Sequence, residues 1–148
     1  MKRLLAMILS SIFLLTSCGA KTSAEEVLVG FCREYPITAQ IYSSLREENE
    51  SGYIDQEMLT ALFGTDEYPT DDFALVFYGK VDTVREIGVF VTENGEDIIG
   101  ISELLTRRIA FLSTFSEGEG FIRKYRGAIV YGFVEDASRI EKLFDSML

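Results

Sequence analysis

The chain contains 148 residues, of which 47% are apolar and 26% are charged, and it carries a net charge of −10 with no histidine. One domain fits this length, and the apolar fraction is typical of a globular chain and too high for a disordered one. The acidic balance argues against nucleic-acid binding, and the lack of histidine excludes Ser-His-Asp and Cys-His catalysis and the usual histidine-containing catalytic zinc sites.

The first twenty residues are typical of a secretion signal. Lys2 and Arg3 form a basic start, and residues 4–15 form an apolar stretch too short to span a bilayer core of about 30 Å. The following Leu-Thr-Ser-Cys resembles a bacterial lipobox, in which the cysteine is diacylated and the peptide is cut just before it. We therefore expect residues 1–17 to be a lipoprotein signal peptide and Cys18 to be the lipidation site. An ordinary signal peptide cut elsewhere and an uncleaved anchor are the alternatives.

Removal of this signal changes the properties of the mature chain. Without the 17 signal residues, 131 remain, and the loss of Lys2 and Arg3 takes the net charge from −10 to −12. Acyl chains then provide the anchor, because an anionic lipid surface repels an acidic domain. We expect a protein anchored on the extracytoplasmic face of the cell membrane, with a tether over residues 18–24 and a single domain over residues 25–148.

The first part of the domain is ambiguous. Ser23 and Glu26 have the spacing of a capping box, and helical spacing continues in the apolar residues Leu28, Phe31, Cys32 and Tyr35. A strand over residues 27–31 is the alternative. Residues 38–48 fit either a strand or a helix, and residues 46–52 are polar and look like a loop, so the structure of residues 25–52 is left open.

Cys32 has no intrachain partner if Cys18 is lipidated. A lone cysteine of this kind is most often a small buried apolar residue. An intermolecular disulfide and a reactive thiol beside Arg33 are the alternatives.

The remaining elements are better defined. Asp55 can cap a helix that ends at Gly64, and strands are predicted at residues 73–78 and 86–91, joined as a hairpin. After the Asn94-Gly95 turn come a helix over residues 96–115, a loop over residues 116–120, a strand over residues 128–134 and a helix capped by Asp136. Both faces of the strand at residues 73–78 are apolar, which predicts a central strand buried on both faces or one exposed aromatic binding face.

The order of these elements predicts the fold class. Helix, strand, strand, helix, strand and helix follow one another, and amphipathic helices can cover the apolar strands. We therefore expect an α+β fold, a two-layer sandwich in which helices cover a small, mainly antiparallel sheet of about three strands.

The second half of the chain also resembles a known family. The hairpin reads Phe-Tyr-Gly-Lys-Val-Asp-Thr-Val-Arg-Glu-Ile-Gly-Val-Phe, the long helix ends in Leu-Leu-Thr-Arg-Arg-Ile-Ala-Phe-Leu, and the last strand contains Gly-Ala-Ile-Val-Tyr-Gly-Phe-Val. Over residues 53–148 this pattern is similar to short lipoproteins of Gram-positive bacteria that share domain of unknown function number 4358. The resemblance implies a lipid-anchored extracytoplasmic domain and supplies no activity.

No catalytic residue, metal ligand or cofactor is predicted. Adjacent acidic pairs are expected by chance among 24 acidic residues, although paired carboxylates could serve a hydrolase. Asp66, Asp71 and Asp72 are weak calcium candidates without EF-hand spacing. The glycines of residues 116–120 lack the pattern of a phosphate loop.

Two basic groups stand out in this acidic chain, and their members are Arg107, Arg108, Arg123, Lys124 and Arg126. Ion pairs with nearby acidic residues are the simplest interpretation. A small docking site for an anionic wall polymer or an envelope protein partner is the alternative.

The sequence therefore favours a lipid-anchored, non-enzymatic interaction or binding module at the cell envelope. The membrane is its expected partner through Cys18, together with an envelope protein. A small carboxylate-dependent envelope hydrolase and a small solute-binding lipoprotein are the alternatives, although 131 residues are few for a two-lobed binder.

Overall fold

The computed structural model of the protein describes residues 21–67, 69–80, 83–92 and 98–148. The predicted signal peptide, Cys18 and the Asn94-Gly95 turn lie outside these residues. In chain order the elements are α1 (Ala24–Glu34), β1 (Ile41–Ser43), α2 (Gln56–Phe63), β2 (Phe73–Lys80), β3 (Thr83–Val91), α3 (Ile98–Leu112), β4 (Glu119–Tyr125), β5 (Ala128–Val134) and α4 (Ala137–Met147). Within the described ranges, no helix has the length and apolar character needed to cross a membrane.

The strands form one sheet with the order β1-β2-β3-β5-β4, in which every neighbouring pair is antiparallel. The prediction of about three strands is therefore wrong, although the α+β class and the antiparallel pairing are correct. The two additional strands, β1 and β4, are the edges of the sheet. β1 lies in the segment whose sequence fits either a strand or a helix, and β4 was not predicted. β1 has only three residues, and β4 carries glycine and charged residues in place of an apolar run, so neither has a clear sequence pattern.

The prediction of two layers is also wrong, because helices cover both faces of the sheet. α1 and α4 pack on one face, against residues such as Ala74 and Val76, and α2 and α3 pack on the other, against Phe73 and Leu75. Alternate side chains of a strand point to opposite faces, so the unbroken apolar run of β2 needs cover on both sides. The interpretation of this strand as buried on both faces is confirmed.

The first element is a helix, and its caps explain why. Ser23 and Glu26 form the predicted capping box, in which Glu26 N–H donates to Ser23 Oγ at 3.2 Å and Ser23 N–H donates to Glu26 Oε2 at 3.0 Å. Phe31 then stacks on Phe144 of α4, with ring centroids 4.9 Å apart. Cys32 is half-buried on this helix, and burial raises the pKa of its thiol. A raised pKa disfavours the thiolate and hence a reactive cysteine.

The other predicted caps are confirmed. Asp55 Oδ1 accepts from Met58 N–H at 2.6 Å at the start of α2, and Asp136 Oδ1 accepts from Arg139 N–H at 2.9 Å at the start of α4. α3 ends at Leu112, three residues before the predicted end. α3 packs on β4 and β5, on the side of the sheet away from β1.

A candidate binding cleft between two helices

A buried ion pair joins α3 to the centre of the sheet. Glu86 of β3 has no solvent exposure, and Arg108 of α3 is 8% exposed. Arg108 Nη2 donates to Glu86 Oε2 at 2.6 Å, and Arg108 Nε lies 3.0 and 3.2 Å from the two carboxylate oxygens. Tyr131 of β5, also fully buried, donates its hydroxyl to Glu86 Oε1. Both oxygens of this buried carboxylate are thereby hydrogen-bonded, which a charge in this environment requires.

The protonation states of this cluster follow from its contacts. Burial by itself lowers the pKa of Arg108, but the hydrogen bonds and the charge of Glu86 outweigh burial and raise it. Burial, followed by the charge of Glu86, raises the pKa of Tyr131 well above its ordinary value of 10. Arg108 is thus charged and Tyr131 is neutral at pH 7. The cluster is built to hold α3 in place, and neither donor is poised to give up a proton.

Arg108 also lines a cleft of about 290 Å³ between α2 and α3. The end of α2 forms one wall with residues 60–64, and Leu104, Arg107 and Phe111 of α3 form the other. The guanidinium carbon of Arg108 lies 5.7 Å from the centroid of the Phe111 ring, within cation–π range. The ion pair therefore sets the position of α3 and of the residues that form its side of the cleft.

An exposed aromatic pair extends this cleft. Phe111 is 55% exposed and Phe115 is 54% exposed, and their rings meet edge to face with centroids 5.2 Å apart. Contiguous exposed apolar side chains, unlike single scattered ones, are a feature of interaction surfaces. The cleft and the two rings together form an apolar surface at the carboxyl end of α3.

Arg107 supplies the available charge at this surface. It is exposed, and among the residues that the structure describes it has no carboxylate within ion-pair distance. Arg108, in contrast, is neutralised by Glu86. The described lining contains apolar groups, the Thr60 hydroxyl and two arginines, with no carboxyl or thiol group. This composition suits the binding of an apolar group that carries a carboxylate.

The five predicted basic residues do not form one patch. Only Arg107 and Arg108 meet, at the cleft. Arg123 lies beside α4, where Nη2 is 3.0 Å from Asp145 Oδ2 and Nε is 3.8 Å from Glu141 Oε1. Lys124 is exposed at the second-last position of β4, and Arg126 lies in the turn between β4 and β5. Arg108 and Arg123 thus follow the ion-pair interpretation, whereas Arg107 is free to dock an anion.

Asp145 holds a second small network on the α4 side. Its carboxylate accepts from the Tyr125 hydroxyl at 2.8 Å and from Arg123. Hydrogen bonding from Tyr125 and then Arg123 lowers the pKa of Asp145, and burial together with Asp145 raises the pKa of Tyr125 to about 12. This exposed network joins α4 to β4.

The calcium candidates are not brought together. Asp66 and Asp71 are exposed, and the Asp72 carboxylate accepts from the Ala24 N–H at 3.1 and 3.3 Å, at the start of α1. Burial raises the pKa of Asp72, and the hydrogen bond from Ala24 opposes this shift. Within the described ranges there is no group of three or more potential metal ligands.

Sequence reasoning missed Glu86 and Tyr131, although a signal for part of the cluster was present. Glu86 begins an apolar run at a position that faces α3, and Arg108 falls in phase with the buried Ile101, Leu105 and Leu112. A charged residue on the buried face of a helix and one of opposite charge on the buried face of a strand indicate a buried ion pair. Their pairing across 22 residues could not be read from either segment alone.

Comparison with known proteins adds no assignment. No family model, no curated protein and no solved structure matches the chain. The resemblance to Gram-positive lipoproteins therefore stays a prediction, and the functional argument rests on the cleft.

Proposed function

We propose that the protein is a lipid-anchored, non-enzymatic interaction module on the extracytoplasmic face of the cell membrane. The lipobox-like sequence before Cys18 supports the anchor. Cys18 precedes Ala24, the first residue of α1, by six residues, which span at most about 20 Å when fully extended. The anchor would therefore keep the domain close to the bilayer, where its partner is an envelope protein.

The α2–α3 cleft carries this proposal. Its apolar walls and the exposed Phe111 provide an aromatic anchor point of the kind that dominates protein interfaces. Arg107 adds a cation that can form a paired hydrogen bond with a carboxylate. By charge complementarity, the occupant is a segment of an envelope protein that places an apolar side chain in the cleft and an Asp or Glu against Arg107.

The composition of the cleft favours binding over catalysis. A carboxylate hydrolase needs two acidic side chains about 5–9.5 Å apart, one of them poised as an acid. The described lining of this cleft has none. The half-buried Cys32 lies on the other face of the sheet, with a raised thiol pKa.

Photocrosslinking in membranes tests the proposal. A photoreactive phenylalanine analogue at position 111 of the full chain should crosslink one envelope protein in stoichiometric amounts. Adding Arg107→Glu should abolish the crosslink, because it places like charges at the interface. Lys142→Glu, an equal charge change on the exposed side of α4, should leave it intact.

Two results would contradict the proposal. One is a lack of any stoichiometric crosslink at position 111, and the other is equal crosslinking with Arg107→Glu and Lys142→Glu. Turnover of wall glycans by the purified chain would favour the hydrolase alternative instead.

A further inference from the structure

β4 forms an open edge of the sheet. It has seven residues and, in the part of the chain that the structure describes, pairs only with β5. The opposite edge is different, because β1 has three residues and Ser43 N–H donates to the Gly52 carbonyl at 2.9 Å. Unpaired edges of this length can bind another strand. β4 is thus the longest open edge among the described strands.

The turn after β4 shows which backbone groups point outward. Arg126 and Gly127 form a two-residue connection, and the positive φ of 83° at Gly127 favours glycine. Tyr125 and Ala128 flank this turn and so form a hydrogen-bonded pair. Bonded and non-bonded pairs alternate from there, so the N–H and C=O groups of Gly120, Ile122 and Lys124 face away from β5. No other described backbone hydrogen bond uses these groups.

The side chains of β4 are complementary to a second, antiparallel copy of β4. When Phe121 lies opposite Phe121 of the other copy, Gly120 pairs with Ile122 through the outward backbone groups. In the same register Glu119 lies opposite Arg123, and symmetry creates this opposite-charge pair twice. Registers centred on Glu119 or on Arg123 would instead place like charges opposite one another. Registers centred on Gly120 or on Ile122 also match the outward backbone groups, but they contain no opposite-charge pair within β4. Charge therefore favours the register centred on Phe121.

Glu119 and Arg123 each have further hydrogen-bonding groups available for this contact. Glu119 accepts from Ala137 N–H at 3.0 Å through one carboxylate oxygen, and Arg123 bonds Asp145 through Nη2. A carboxylate accepts several hydrogen bonds and a guanidinium donates five. Glu119, Gly120, Arg123 and Lys124 are all exposed in the single chain.

We propose that two copies of this chain pair through β4 and form a continuous ten-stranded antiparallel sheet. The two-fold axis is perpendicular to the sheet, because an antiparallel partner related in this way keeps each face on its own side. The contact area is small, so the pair forms weakly in dilute solution and more readily when both copies are confined to one membrane.

The symmetry of this dimer agrees with membrane anchoring, a point that rests on the proposed function. α1 and α4 cover one face of the sheet, so both copies of α1 lie on the same face of the dimer. Both chains that lead back to Cys18 can then reach one bilayer. The two α2–α3 clefts lie on the opposite face and stay open to partners. Failure of Cys18 lipidation would remove this support and leave the pairing itself untouched.

Disulfide trapping of the register tests the pairing. Full-length chains with Cys32→Ser and either Glu119→Cys or Arg123→Cys are purified in detergent, mixed and oxidised. In the proposed register, position 119 of one copy lies directly opposite position 123 of the other copy, within disulfide reach. Position 119 of one copy lies about 13 Å along the strand from position 119 of the other copy, and the same holds for position 123, which is too far for a disulfide. We expect dimers from the mixture and at most a background level from each variant alone.

Controls make the result decisive. The Cys32→Ser parent shows any dimer that arises from Cys18, and Lys80→Cys, at the far end of β2, measures random collisions with Glu119→Cys. Dimer formation no greater than in these controls would overturn the proposal. So would equal yields from the single variants and the mixture.

Charge reversal gives a second measurement without cysteine chemistry. Arg123→Glu in the otherwise native chain should weaken dimerisation about tenfold in analytical ultracentrifugation, because two attractive pairs become repulsive. The swapped variant Glu119→Arg with Arg123→Glu should restore it. A native chain that stays monomeric in detergent and in vesicles, or a swap that restores nothing, would refute β4 pairing.

Discussion

Replacing Arg108 with Met should destabilise the fold far more than its position on a helix suggests. The change leaves Glu86, which has no solvent exposure, charged and without its cation, and only the Tyr131 hydroxyl still donates to it. Breaking a buried ion pair in this way costs about 3–5 kcal/mol of unfolding free energy. A marginally stable domain would lose much of its total stability.

Two variants isolate the buried charge as the cause. Arg107→Met is the matched control, because the same substitution at the exposed neighbour should change the unfolding free energy by less than about 0.5 kcal/mol. Adding Glu86→Gln to Arg108→Met removes the orphaned charge and keeps an acceptor for Tyr131. This double variant should recover at least half of the loss.

The assay is urea unfolding of the full chain at pH 7, followed by circular dichroism. A loss below about 1 kcal/mol at pH 7, or a loss equal to that of Arg107→Met, would refute the reasoning.

Three further outcomes follow from the sequence and the contacts. Cys18→Ser should move the protein from the membrane to the soluble or unprocessed fraction in cell fractionation, and normal processing with retained membrane binding would contradict lipidation. Tyr131→Phe should cost about 1–2 kcal/mol in urea unfolding, because Glu86 loses one donor in a buried site; an unchanged midpoint would show that this hydrogen bond is not important. The side-chain hydrogen bond from Arg46, at 2.5 Å, lowers the pKa of Glu25, so its contribution is present above pH 4.5 and is lost as the pH falls through the lowered value. Arg46→Ala should lose under about 1 kcal/mol at pH 7 and less at pH 3, and an equal loss at both would exclude this ion pair.

Local chemistry explains what could be predicted from the sequence. Ser23, Asp55 and Asp136 cap helices because each carries an acceptor next to a helix start, and a cap depends only on residues three positions away. The apolar runs of β2, β3 and β5 indicate strands for the same reason, since one strand's pattern needs no knowledge of its neighbours. The proposed leader and its lipobox-like motif are likewise continuous in sequence.

The tertiary structure decided the features that depend on distant segments. β1 and β4 pair with the edges that β2 and β5 offer them. β1 has only three residues and β4 has no unbroken apolar run, so neither pattern identifies a strand by itself. The two apolar faces of β2 could be read in advance, but which helices cover each face depends on the chain path. Glu86, Arg108 and Tyr131 meet across separations of 22 and 45 residues, and burial turns their contact into a structural link. The cleft, its free Arg107 and the open β4 edge follow from that packing, because each is defined by which surfaces the other elements leave uncovered.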